Sequence, residues 1–149
     1  MDDQIRSLIE REAVIGTVTD LFVATDERDW AGLRQCLAPQ VRFDMSSLSG
    51  EAPARLAADQ IIDAWDAGLR PLQAVHHQAG NYRIEVTGSE AEARCYGIAY
   101  HYLPNPAGST RVFVGSYEFH LLKIDGAWRI DGFKFNLKFI DGNLELEKA

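Results

Sequence analysis

Beyond residue 73 the chain offers four strand-like runs in succession, and nothing else in it restricts the possible folds as much. Ala74–Val86, Ala91–Leu103, Arg111–Ile124 and Trp128–Phe139 are rich in Val, Ile, Tyr and Phe. Turn residues separate them: Thr87-Gly88-Ser89, then Pro104, Asn105, Pro106 and Gly108, then Asp125-Gly126, a strong two-residue hairpin signal. The apolar phase shifts from Trp128 and Ile130 to Phe133, Phe135, Leu137 and Phe139, which predicts a bulge at Gly132. Long strands that are apolar on both faces, as at Val112, Phe113 and Val114, need cover on both sides.

The earlier residues supply cover for one side. Residues 3 to 28 read as a long amphipathic helix, with Ile5, Leu8, Ile9, Ile15, Val18, Leu21, Phe22 and Thr25 at three- and four-residue steps. Asp2 and Asp3 suit its start. Trp30, Leu33 and Leu37 predict a short second helix that Pro39 ends. Val41, Phe43 and Met45 alternate with Arg42 and Asp44 as in a strand. Ser46 to Pro53 reads as a loop. A third helix is predicted from about Pro53 to Leu69, with Leu56, Ile61, Ile62, Trp65 and Leu69 as its buried stripe and Pro71 as its stop. Helices first and strands afterwards imply an α+β domain: about three N-terminal helices packed in the concave face of a curved, mostly antiparallel sheet. No linker, repeat or composition break interrupts residues 1–149, so a single domain is expected.

Charge and cysteine usage exclude several functions. A net charge of −7 argues against nucleic acid or an anionic membrane as partner. No run approaches the ~18 apolar residues of a membrane span. The opening MDDQIRSLIERE is acidic and has no apolar leader core, so a cytoplasmic location is expected. Cys36 and Cys95 sit among apolar neighbours and read as small packing residues. Zinc needs about three convergent ligands, and neither H-x-x-x-H nor C-x-x-C spacing occurs, so neither a metal nor another cofactor is expected. The G-x-S-x-G elbow of Ser nucleophiles is missing too.

Two residues stand out against that background. Val18, Phe22 and Asp26 follow at i, i+4 and i+8, so Asp26 continues an apolar stripe where a core residue belongs. A carboxylate there is costly unless paired. A histidine on the covering sheet is a natural partner, and the run AVHHQAGNYRIEV carries two, His76 and His77, which face opposite sides of a strand. We take His77 as the inward one, on the side of Ala79 and opposite His76, Gly80 and Tyr82. An Asp–His pair in an apolar cavity is a general-base device, in which the carboxylate sets the tautomer and stabilises the imidazolium. Structural readings stand beside it: His77 hydrogen-bonded within the sheet, and Asp26 capping the second helix or pairing with Arg28. The further pocket candidates are His101, Tyr100, Met45, Trp65, Tyr117 and Phe133. His120 reads as a surface or interface residue.

Three blocks carry a family resemblance: TDERDWAGLRQCLAPQVRFD at 25–44, HQAGNYRIEV at 77–86 and KIDGAWRIDGFKF at 123–135. Together they resemble the SnoaL-like proteins of the nuclear transport factor two-like (cystatin-like) superfamily, and the pattern is similar to that of scytalone dehydratase and its relatives. The resemblance implies an α+β cone with a catalytic Asp–His dyad, for which Asp26 and His77 fall at the matching positions. His101 falls near a second pocket histidine of scytalone dehydratase. Thr25 and Met45 replace that enzyme's carbonyl-polarising tyrosines, and Gly115 and Tyr117 replace a polar pair. Leu21 and Phe133 stand where hexachlorocyclohexane dehydrochlorinase has basic residues. The expectation is therefore a cofactor-independent lyase of dehydratase type, acting on a small hydrophobic molecule such as a polyketide, steroid or aromatic compound. An isomerase, a polyketide cyclase or a non-catalytic binding module are the alternatives. The resemblance and the apolar outer strand face also imply a homo-oligomer, a trimer or dimer.

Overall fold

The computed structural model describes residues 1–148. A 25-residue helix, α1 (Asp3–Glu27), opens the fold, and Asp2 caps it by accepting from the Gln4 backbone N–H at 2.6 Å. Helix α2 (Trp30–Cys36) follows, capped by Asp29, whose carboxylate accepts from the Gly32 N–H. Strand β1 (Leu37–Asp44), a single helical turn α3 (Ser46–Ser49), strand β2 (Ala54–Ala57) and helix α4 (Ala58–Leu69) come next. Four long strands complete the chain: β3 (Ala74–Thr87), β4 (Glu90–Tyr102), β5 (Thr110–Ile124) and β6 (Ala127–Gly142). The six strands form one sheet in the order β2-β1-β6-β5-β4-β3, antiparallel throughout except for the parallel β1–β6 pair. The helices pack inside its curve, as expected for this α+β arrangement.

One face of α1 makes much of the core. Val14, Val18, Leu21 and Phe22 are at most 5% exposed, and each contributes roughly 1.5–3 kcal/mol by leaving water. The helix can approach the sheet closely because the inward residues of β4 are small: Ala91, Ala93, Cys95, Gly97 and Ala99. At Gly97 a Cβ would lie 2.2 Å from the Tyr117 ring, so only glycine admits that aromatic there. The first turns of α1 depart from expectation. Ile5, Leu8 and Ile9 are more than half exposed, because this end of the helix projects past the sheet.

Three segments differ from the sequence reading. Pro39 lies inside β1 and does not end a helix. The β1–β6 pairing skips from Leu37 to Arg42, so a residue without an N–H fits the gap. Residues 46–49 form a helical turn within the expected loop. The expected third helix starts five residues late, at Ala58: residues 54–57 pair with the free edge of β1 as β2, and Leu56 packs from that strand. Edge pairing satisfies backbone groups that local propensity leaves undecided.

Bulges curve the sheet. On β6 the pairing passes from Ile130 to Gly132, which leaves Asp131 as the extra residue beside the anticipated site. On β3 two residues, Asn81 and Tyr82, oppose Cys95 alone, and Asn81 takes a left-handed φ of 56°. That bulge turns Tyr82 inward against the core, on the same side as His77 and Ala79, reversing the assignment made for a regular strand. The β5–β6 turn has positive φ at both Asp125 and Gly126 (51° and 81°), the primed geometry that suits strand twist.

Candidate active site

The last turn of α1 delivers Asp26 to the inner face of β3. Its Oδ1 lies 2.6 Å from His77 Nδ1, and its Oδ2 accepts the His77 backbone N–H at 2.8 Å. The carboxylate therefore grips both the ring and the chain of the same residue. Both side chains are largely buried, His77 at 14% and Asp26 at 16% exposure. Phe22, one turn before Asp26, stacks on the imidazole at 5.3 Å and 24°. A carboxylate only accepts, so Nδ1 carries the hydrogen, and in the neutral ring Nε2 presents a lone pair. That nitrogen has no hydrogen-bond partner among the described residues, and His77 borders a cavity. The structural alternatives for Asp26 go elsewhere: Asp29 caps α2, and Arg28 Nη2 donates to the carbonyls of Leu69 and Leu72 at 3.2 and 2.6 Å.

The cavity measures about 250 Å³ and lies between α1, α4 and the inner faces of β3–β6. Its size is just below the roughly 300–1,000 Å³ of common ligand pockets, so it suits a small molecule. Its wall is mainly apolar. Of the anticipated pocket residues, Met45, Trp65, His101, Tyr117 and Phe133 line it. Tyr100 does not: it is 38% exposed on the outer face, next to His76. Neighbouring strand residues face opposite ways, so placing His101 inside puts Tyr100 outside. Asp26 stands behind His77 and does not line the wall. Phe22, Leu48, Phe113 and Phe135 line the cavity as well. Phe113 shares the inward parity of Tyr117, a signal that could have found it.

The remaining polar groups have distinct states. His101 is diagonal to His77 on the same face, since Val75 pairs with His101 and His77 with Ala99. Burial, aided by the Arg111 cation, pushes the His101 imidazole down to about 4, so it is neutral at pH 7. A neutral ring cannot serve as a cationic acid toward departing water. Burial raises the Tyr117 hydroxyl well above its usual range, which keeps it a protonated donor. Thr25 Oγ1 is committed to the Leu21 carbonyl at 2.7 Å. Cys36 and Cys95 are buried free thiols, pushed up by burial to about 11 and about 12, and act as packing residues. His120 bonds Asp131 at 2.6 Å, at a polar groove with Glu92 and Glu118 that is separate from the cavity. Among the described residues no three His, Cys, Asp or Glu side chains converge as a metal site requires, and no helix is long and apolar enough to cross a membrane.

Comparison with known proteins identifies the domain family and the fold. The family model of the SnoaL-like domain matches residues 6–134. No curated protein matches the sequence significantly. Among solved structures, the Kfla4162 protein from Kribbella flavida superposes with a TM-score of 0.89 at 19% identity, covering 96% of this chain and 99% of that one. The hexachlorocyclohexane dehydrochlorinase LinA-type3 from Novosphingobium barchaimii LL02 gives 0.79 at 13% identity, with 99% of each chain covered. A candidate scytalone dehydratase from Novosphingobium aromaticivorans gives 0.76 at 18% identity, covering 92% of this chain and 89% of that one. At these identities the superpositions establish a shared cystatin-like fold.

Proposed function

The chain belongs to the SnoaL-like domain family, and from that premise we propose that it is a cofactor-independent lyase of dehydratase type. The observation that carries the reading is the free Nε2 of His77, held by Asp26 at the wall of an apolar cavity. In this reading His77 takes a proton from the carbon α to a carbonyl. The C–H electrons form the new C=C bond, the β-hydroxyl departs, and the proton held on His77 returns to it as water. Asp26 offsets the positive charge on the ring during the transfer. Excluding water strengthens each of these interactions. The substrate is a small hydrophobic carbonyl compound, and the folds named above are those of a dehydrochlorinase and a candidate dehydratase.

A single base also serves an isomerase or a cyclase, which return the proton to a different carbon or direct the carbanion to a second carbonyl. The neutrality of His101 is compatible with either reaction, because His77 is both acceptor and donor of the proton in each. Mass spectrometry of the product separates the two, since only elimination loses water. A metabolite screen by thermal shift supplies the substrate, because a ligand bound to the native state alone raises the melting temperature. With it, His77→Ala is expected to lower turnover by about 10²–10⁴-fold, the usual worth of a general base. Asp26→Asn, which no longer enforces Nδ1–H, is expected to lose at least ~10²-fold. Full turnover in His77→Ala would sink the lyase reading, and binding with no turnover in the wild type would leave a binding module. Copies of the chain are proposed to associate through the outer face of the sheet.

A further inference from the structure

The inward end of β5 places Arg111 directly across from His101 on β4. Arg111 Nη2 lies 3.0 Å from His101 Nδ1. A guanidinium has five N–H donors and accepts nothing, so Nδ1 must be the unprotonated nitrogen. The hydrogen of neutral His101 is therefore on Nε2. That atom has no hydrogen-bond partner among the described residues, and the ring borders the cavity. His101 is thus set opposite to His77: one ring offers an N–H and the other a lone pair, from diagonal positions on one wall.

Arg111 is itself held by Glu147, in the segment that follows β6. Glu147 Oε2 accepts from Nη1 at 3.0 Å and Oε1 from Nη2 at 2.5 Å, a two-point clamp. Glu147 is presented by a docked segment. Leu146 is fully buried against Leu72 and Val75, and Asn105 Nδ2 donates to the carbonyls of Leu146 and Lys148. The guanidinium also lies 5.5 Å from the centre of the Phe113 ring, which in turn packs on His101 at 5.0 Å. The Arg111 side chain is only 15% exposed and its Nε is buried without a partner. An incompletely satisfied, nearly buried cation is a costly way to tie down the segment after β6, and an apolar pair would do that alone.

We infer that Arg111, clamped by Glu147, is a positioning residue that locks His101 as the Nε2–H tautomer and makes it the hydrogen-bond donor for the substrate's carbonyl oxygen. This rests on the proton-abstraction reading for its chemistry, because negative charge develops on that oxygen as the α-proton leaves. A fixed neutral donor stabilises the charge without surrendering a proton. The charged or titratable groups around His101 are Arg111, Glu147, His77 and Asp26.

The tautomer is read directly by ¹⁵N NMR of the imidazoles, without any turnover. In the wild type His101 is expected to show a protonated Nε2 and a bare Nδ1 from pH 8 down to about 5. In Arg111→Gln the ring is expected to mix tautomers and to titrate about one pH unit or more higher. In Glu147→Gln, the second variant should the first fold poorly, the unclamped guanidinium is expected to let the tautomers mix, and loss of the carboxylate to move the titration lower. p-Nitrophenol, a ring-bearing enolate mimic, is the binding probe. It should perturb His101 Nε2 on saturation and bind at least fivefold more weakly to Arg111→Gln. A Nδ1–H tautomer in the wild type, or a titration unmoved by either substitution, overturns the positioning role. Failure of p-nitrophenol to bind, or binding that leaves Nε2 unperturbed, overturns the donor role. Loss of the lyase reading through an active His77→Ala would leave the tautomer spectra as they are, so the two failures are separable.

Discussion

At the residue scale the two cavity histidines are made different by what stands behind them. Asp26 accepts from one and Arg111 donates to the other. The depressed His101 has a consequence for stability. The unfolded chain binds a proton at this residue near pH 6.5, and the folded chain refuses it until about pH 4. Unfolding thus takes up a proton in that window, and stability is full above pH 6.5 and falls on acidification toward 4. The span corresponds to an upper limit of about 3 kcal/mol. Below it, Asp44 and Glu147 add to the loss, because hydrogen bonds from Ser46 and Arg111 hold their carboxyls below the usual range. Urea melts at pH 7, 5.5 and 4.5 should show the decline, and His101→Gln should flatten it above pH 4.5. The raised thiols of Cys36 and Cys95 predict a second outcome. Native protein at pH 8 should resist a thiol-disulfide reagent, and both should react in denaturant. Asp26 was legible in the sequence because the step from Val18 through Phe22 fixes its direction on a helix. The clamp on His101 was not, since it joins residues 36 apart through side-chain geometry alone.

At the element scale, the cavity exists because β4 presents small residues where β5 and β6 present aromatic ones. Tyr117 lies over Gly97 and packs on Phe22, Phe119, Phe133 and Phe135. Gly97→Ala is expected to push that ring toward the cavity, at a cost of about 1–3 kcal/mol, and to weaken ligand binding. Thermal melts with and without p-nitrophenol check both effects, and unchanged values would mean that the sheet yields instead. By contrast, Ile5→Ser on the projecting end of α1 should change stability by less than about 0.5 kcal/mol, because the residue is already 53% exposed. The helical periodicity was correct for α1 as an element and misleading for its first turns, because an apolar stripe does not say how far the sheet extends beneath it.

For the whole molecule, the outer sheet face is where the proposed association is tested. Tyr96, Ile98, Tyr100, Val112, Val114 and Phe139 share it on neighbouring strands, and Tyr96 and Phe139 are 58% and 51% exposed. Exposed apolar patches are common at association surfaces, which supports the proposed association through this face. Sedimentation at micromolar concentration is expected to show a dimer or trimer, and Val114→Glu to shift it toward monomer. A wild type that sediments as a monomer would remove the oligomer proposal and leave the cavity chemistry untouched.

The sequence by itself determined what depends on local periodicity: a long first helix, four long strands, the Asp125-Gly126 hairpin, the phase shift near Gly132 and a carboxylate turned toward the core. These follow from the 3.6- and 2-residue repeats of the backbone, which operate within a few residues. Tertiary structure decided the rest. It made β2 from residues expected in a helix, because a strand edge was available to pair with. It turned Tyr82 inward through the Asn81 bulge and put Tyr100 outside through the parity of His101. It brought Glu147 and Arg111 onto His101, so that two identical side chains hold opposite tautomers in one cavity, a difference set by neighbours distant in the chain.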